Sequence, residues 1–204
     1  MGAALSIFGK INEESPHFSL LKKTAEYEIR RYAQAIAVET SYEAEHVLGG
    51  QGKSFMSLAK YIGVMSKPEN EREEKISMTA PVSMGKVVEA PKGDKEQQRY
   101  NMRFFLPASE IKSKSEAPQP SKENVRVVDV PERTVAVRTF SGYFRKANVD
   151  ENTKALLESL RGDEEVKNVK EDHVEVFGWN PPWTISFLRT NEVLVPCDFV
   201  PLKK

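Results

Sequence analysis

One order of segments is written twice along this chain, and that repetition constrains the fold more than any single motif. In the first half, Tyr27 to Thr40 has the β-branched and aromatic content of a long strand or a bent strand pair. A change of apolar parity between Ile29 and Tyr32 suggests a bulge there. Phe55, Leu58, Ala59 and Ile62 then fall at i, i+3, i+4 and i+7, which places one apolar stripe on a helix, and Gly63 is positioned to end it. Two strand-like runs follow, Ile76 to Met84 and Tyr100 to Leu106, with a polar loop from Lys92 to Gln98 between them. After the Pro-, Ser- and Lys-rich stretch from Pro107 to Asn124, read as a linker, the order begins again. Val125 to Val130 and Thr134 to Phe140 are strand-like about a turn at Pro131-Glu132-Arg133. Val149, Leu156, Leu157 and Leu160 mark a second amphipathic helix before Gly162, and Val174 to Gly178 and Glu192 to Val195 read as two more strands. The pattern predicts an α+β fold: a polar lead-in over 1–23, then one domain over 24–204 built of halves 24–106 and 125–200.

Composition removes several function classes. Thirty basic residues balance thirty acidic ones and no Lys/Arg block stands out, so nucleic acid is not an expected partner. No apolar run reaches the roughly eighteen residues of a spanning helix. Cys197 is the only cysteine, which excludes an internal disulfide and a Cys-based zinc site. The expected address is the cytoplasm, and the expected state is a monomer.

Catalytic signatures are missing as well. There is no Gly-x-Ser-x-Gly elbow and no P-loop, and Gly49-Gly50-Gln51-Gly52 lacks the preceding strand of a dinucleotide-binding turn, so it reads as a loop. His17, His46 and His173 are scattered, without a spacing that sets two ligands on one helical face; no metal site is expected, and no enzyme. Two segments stand out from this background. Ile76 to Val82 carries Pro81 inside a strand-like run, where a proline belongs at an edge, an end or a bulge. Trp179-Asn180-Pro181-Pro182-Trp183 sets both tryptophans around a rigid turn, either to cap one end of the core or to offer aromatic surface to a ligand.

Tyr27-Glu28-Ile29-Arg30-x-Tyr32, Met78-Thr79-Ala80-Pro81-Val82, Asn180-Pro181-Pro182 and Arg189-Thr190-Asn191-Glu192-Val193 resemble, in order, the signature segments of the SOUL haem-binding family, over about Thr24 to Pro196. The resemblance implies a distorted antiparallel β-barrel with two flanking helices, built as a pseudo-twofold strand-helix-strand-strand repeat. It also implies reversible binding of haem or protoporphyrin, as a carrier or buffer, with a tetrapyrrole as the partner. The alternative is a non-catalytic module for another amphipathic planar ligand or for a protein partner. By the same resemblance, Phe55, Met56 and Ala59 on the first helix contact the macrocycle, Lys60 with Lys53 serves its propionates, and Trp183 stands on the opposite wall. Some members carry a lysine where this chain has Thr184, and a histidine offered to iron where it has Arg31. A guanidinium does not ligate iron, which leaves His46 and Met56 as substitutes and favours an uncoordinated porphyrin held by stacking and charge. Finally, Met1-Gly2-Ala3-Ala4-Leu5-Ser6 fits N-myristoylation of Gly2, so a transient membrane contact is expected.

Overall fold

A computed structural model describes residues 11–64, 66–87, 98–181 and 183–202. The expectation for Gly2 and most of the loop from Lys92 to Gln98 lie outside the described residues, as does Pro182. The chain forms two compact units, one of His17–Ala33 with the chain from Glu132 onward, the other of Gln34–Pro131 with Glu13–Pro16. The architecture is α+β, with antiparallel strands and, among the described residues, one α-helix in each unit.

In the second unit, β3 (Ala35–Ala44), α1 (Gly52–Ile62), β4 (Val82–Lys86), β5 (Gln98–Phe105) and β6 (Val125–Val130) build a sheet in the order β4-β5-β3-β6. The first unit contains β1 (Phe18–Lys23), β2 (Glu28–Tyr32), β7 (Arg133–Phe140), α2 (Lys146–Arg161), β9 (Glu175–Gly178) and β10 (Asn191–Pro196), in the sheet order β1-β2-β7-β10-β9. A small ladder of β8 (Val166–Lys167) and β11 (Asp198–Phe199) completes it.

These orders reveal what the repeat does. The arrangement β4-β5-β3-β6 in one unit matches β9-β10-β7-β2 in the other, so in each unit one of these four strands, β6 or β2, comes from the opposite half of the sequence. The expected bend between Ile29 and Tyr32 is therefore a break at Ala33-Gln34, where the chain passes from one unit to the other. Likewise β6 and β7 are not a hairpin about Pro131; β6 pairs with β3, and β7 pairs with β2 and β10.

Four further expectations are corrected. The lead-in contains a strand, β1, whose side chains are largely exposed, so it shows no clean alternation to read. The bulge lies in β1, between Leu20 and Lys22. The stretch from Ile76 shortens to β4, because Pro81 precedes the ladder and Thr79 instead donates its hydroxyl to the Phe105 carbonyl at 2.6 Å. The segment 107–124 is irregular but not a loose linker: Ile111 and Ala117 are buried, and Tyr61 donates its hydroxyl to the Pro118 carbonyl at 2.7 Å.

Both units carry carboxylates buried in their sheets. Glu39 on β3 is 1% exposed and sits in register with Arg103 on β5 and Arg126 on β6, each of which bonds it at 2.5 Å. Glu192 on β10 is 3% exposed; one oxygen accepts from Arg30 at 2.9 Å and from Thr139 at 3.2 Å, the other from the Trp179 indole at 2.8 Å. Arg30 reaches it across β7 and bonds Glu28 and Tyr32 as well. Burial opposes the Arg30 charge, but Glu192, Tyr32 and Glu28 outweigh burial and hold its pKa above the ordinary value.

Removing one member of such a pair strands the other charge in the core, at a cost of about 3–5 kcal/mol. Glu192→Ala and Arg30→Ala are each expected to lose that much in urea unfolding, with the double variant well short of the sum. Full additivity would show that the two residues do not act as a pair. A second cluster gives a pH dependence. Burial acts to raise the pKa of Asp163, but hydrogen bonds from Lys22 (2.7 Å) and the Tyr27 hydroxyl outweigh it and hold the carboxyl below its usual range. A depressed carboxyl stabilises the fold above its unfolded pKa, and that stability is lost as pH falls through the folded value. Stability should therefore drop below pH 3.8, the ordinary aspartate value, and Asp163→Asn should flatten that drop while lowering stability at neutral pH.

Candidate functional site

Helix α1 buries Ser54, Leu58, Ala59, Tyr61 and Ile62 against its own sheet. Phe55 leans the same way, edge-on to Phe104 on β5 with 5.2 Å between ring centroids. The helix ends at Gly63, whose left-handed φ of 76° lets its N–H return to the Lys60 carbonyl at 3.1 Å. A Cβ on Gly63 would lie 2.5 Å from the Pro68 ring, so only glycine permits the chain to turn back here. That turn brings Glu69 beside the helix, where its N–H also bonds the Lys60 carbonyl at 2.9 Å. Asn70 fastens the segment by donating its amide to the carbonyls of Tyr61 and Glu74, at 2.9 and 2.8 Å.

The opposite side of α1 presents Lys53, Met56, Ser57 and Lys60. With Glu69, Lys122 and Asn124 these line a recess of about 430 Å³. Met56 is 38% exposed and forms its apolar floor. Three lysines, Lys53, Lys60 and Lys122, stand around that floor, and Lys60 lies 3.8 Å from the one carboxylate among the lining residues, Glu69. An apolar patch ringed by ammonium groups suits a ligand with an apolar body and acidic substituents. The structure thus brings Lys53, Met56 and Lys60 together and turns Ala59, 1% exposed, and much of Phe55 to the sheet side. Lys122, Asn124 and Glu69 join them from segments with no periodicity, so sequence reasoning had no signal for them.

Trp183 belongs to the other unit. It is 60% exposed, whereas Trp179 is half-buried, edge-on to Phe177 at 6.5 Å and anchored on Glu192. The two tryptophans, read as a pair from the sequence, thus divide between core and surface. Between them Asn180 accepts from the Thr190 N–H at 2.6 Å, and Arg189 donates to the Thr184 carbonyl at 2.8 Å. Thr184, at the position where a family member can carry lysine, is 1% exposed.

The possible iron ligands are equally distinct. Arg31 is exposed on β2, one residue out of phase with buried Arg30 and Tyr32. His46, in the loop before α1, holds a buried Nδ1 with no hydrogen-bond partner. Among the described residues no cluster of three or more His, Cys, Asp or Glu side chains is arranged to hold a metal ion. The Cys197 thiol is buried, and burial pushes its pKa to about 11, so it is a poor nucleophile at neutral pH. Nor is any helix among the described residues long and apolar enough to cross a membrane.

Comparison with known proteins places the chain among relatives. Heme-binding protein 2 of Homo sapiens is 32% identical over 82% of this chain and 76% of its own length, and heme-binding protein 2 of Mus musculus is 30% identical over the same shares. In three dimensions the chain is similar to the C-terminal domain of EcmrR (TM-score 0.56, 12% identity, covering 86% of this chain and 98% of that one). A hydrolase from Listeria innocua is equally similar (TM-score 0.56, 8% identity, 87% and 94% covered). At such low identity these two likenesses establish the fold alone. The model of one family, described as SOUL heme-binding protein, matches residues 13–196. With four signature segments in order, a match over most of its length and relatives at 30% identity or more, the chain belongs to the SOUL haem-binding family.

Proposed function

We propose that this protein is a non-catalytic carrier or buffer for haem or protoporphyrin, and that the recess on the outward side of α1 takes the ligand. The observation that carries the reading is the Met56 floor ringed by Lys53, Lys60 and Lys122. A porphyrin offers that floor a flat apolar face and the lysines two propionates. Phe55 and Ala59 contribute from beneath, fixing the helix on its sheet so that Met56 and Lys60 keep their places. Trp183, in its own unit, offers a second exposed aromatic surface to a planar ligand. A site of this kind holds its cargo by stacking and screened charge. It can therefore release it, as a carrier must.

Titration with hemin, followed by absorbance and tryptophan quenching, is expected to saturate at micromolar concentration. Lys60 and Glu69 are both partly exposed, so their pairing is worth only about 0.2–1 kcal/mol. Lys60→Gln should weaken hemin binding about two- to fivefold, and Glu69→Gln, which removes the competitor for Lys60, should strengthen it by a similar factor. If neither substitution moves the affinity, the propionates do not bind in this recess.

Coordination is a separate question with its own readout. Because Arg31 occupies the histidine position and faces solvent, metal-free protoporphyrin is expected to bind within about tenfold of hemin. A histidine-type Soret band on hemin binding that disappears in His46→Ala would instead assign the iron to the unpartnered imidazole.

A further inference from the structure

The loop between β9 and β10 reverses the usual logic of an alternating segment. From 183 to 187 the residues facing outward are Trp183, Ile185 and Phe187, at 60%, 38% and 71% exposed, while the polar Thr184 between them is 1% exposed. Apolar side chains thus take the solvent positions and a hydroxyl takes the core. Tyr143, 49% exposed in the loop before α2, joins this row, because the Gly142 N–H donates to the Ser186 carbonyl at 3.0 Å. Asn191 bonds the Gly142 carbonyl at 3.1 Å, and Leu188 closes a turn onto Ile185 at 2.9 Å. Backbone bonds therefore hold the row out, and no further ordering is needed when something covers it.

The charged groups that lie directly against this row are two arginines. Arg145 and Arg189 flank the row, while Lys146 is paired with Asp150, to which its ammonium donates. The Arg145 guanidinium lies 4.2 Å from the Tyr143 ring centroid, and that of Arg189 lies 5.7 Å from it. Aromatic and aliphatic side chains fringed by arginine match a lipid interface, where rings sit at headgroup depth and cations meet anionic headgroups. Exposed apolar groups gathered on two bonded loops mark a surface for interaction.

We propose that the paired loops bearing Tyr143, Ile185 and Phe187, fringed by Arg145 and Arg189, dock on an anionic phospholipid surface. The surface stands independently of the tetrapyrrole reading, although a carrier of a lipophilic pigment gains from visiting membranes. Were Gly2 acylated, a single acyl chain would give only marginal binding and no basic cluster follows it, so this surface would act as the second signal.

The test uses the full chain from a bacterial host, where Gly2 carries no acyl group. Co-sedimentation with vesicles of phosphatidylcholine, with and without phosphatidylserine, measures partition. Brominated acyl chains report insertion by quenching tryptophan. Partition is expected only where phosphatidylserine is present. Arg145→Gln should weaken it about fivefold, and Phe187→Ser about tenfold or more with loss of quenching. Phe187 is 71% exposed, so its replacement leaves the core untouched, and hemin titration of the same variant should match the parent. Absent or equal partition to both vesicle types overturns the proposal, as does a Phe187→Ser variant that partitions normally. Failure of hemin binding in the parent would count against the carrier reading alone.

Discussion

Glu192 has both of its oxygens committed inside the sheet, and the arrangement of its unit follows from that commitment. Arg30, Thr139 and the Trp179 indole converge on it from β2, β7 and the loop after β9. A buried carboxylate with fewer partners would be intolerable, so the three segments must arrive together. Tyr32 stands beside Arg30 and touches Phe18 and Phe177, while Phe177 meets Trp179, so a chain of rings follows the charges across the same strands. The Tyr27 to Tyr32 and Arg189 to Val193 segments of the family signature thus meet at an ion pair. They specify the fold before they specify a ligand.

The same arrangement separates what Trp179 and Trp183 do. Trp179 is spent on Glu192, which fixes where the Asn180-Pro181 turn leaves the sheet. Beyond that turn Trp183, Ile185 and Phe187 stand exposed, and Thr184 between them is buried. A loop positioned by a buried charge is a stiff platform, and stiffness is what a surface needs if it is to meet a flat pigment or a lipid layer without first becoming ordered.

Much of this was legible beforehand because it depends on local pattern. Phe55, Leu58, Ala59 and Ile62 announced α1, and Gly63 its end, since an apolar stripe and a left-handed cap are properties of neighbours in sequence. The fold class followed from the repeated order. What stayed hidden depends on distant partners. Strand β1 is exposed at Phe18 and Leu20 and exists because β2 offers it a ladder. The segment 107–124 looked like a linker because its order comes from Tyr61 and Asn70 rather than from periodicity. Within the candidate recess, Met56 and Lys60 were readable from the helix, whereas Glu69 and Lys122 arrive by turns whose endpoints no spacing reveals.

The exchange of β2 and β6 between the sequence halves has a consequence for how such a chain is divided. A fragment cut between the sequence halves, within 107–124, would keep β3, α1, β4 and β5 but lose β6, and would carry β2 without the β7 it pairs with. Its β3 edge would then expose unpaired N–H and C=O groups along Ala35 to Thr40, an adhesive edge in water. Two copies of a half-length chain could satisfy each other by trading first strands, each donating to its neighbour what the single long chain donates to itself.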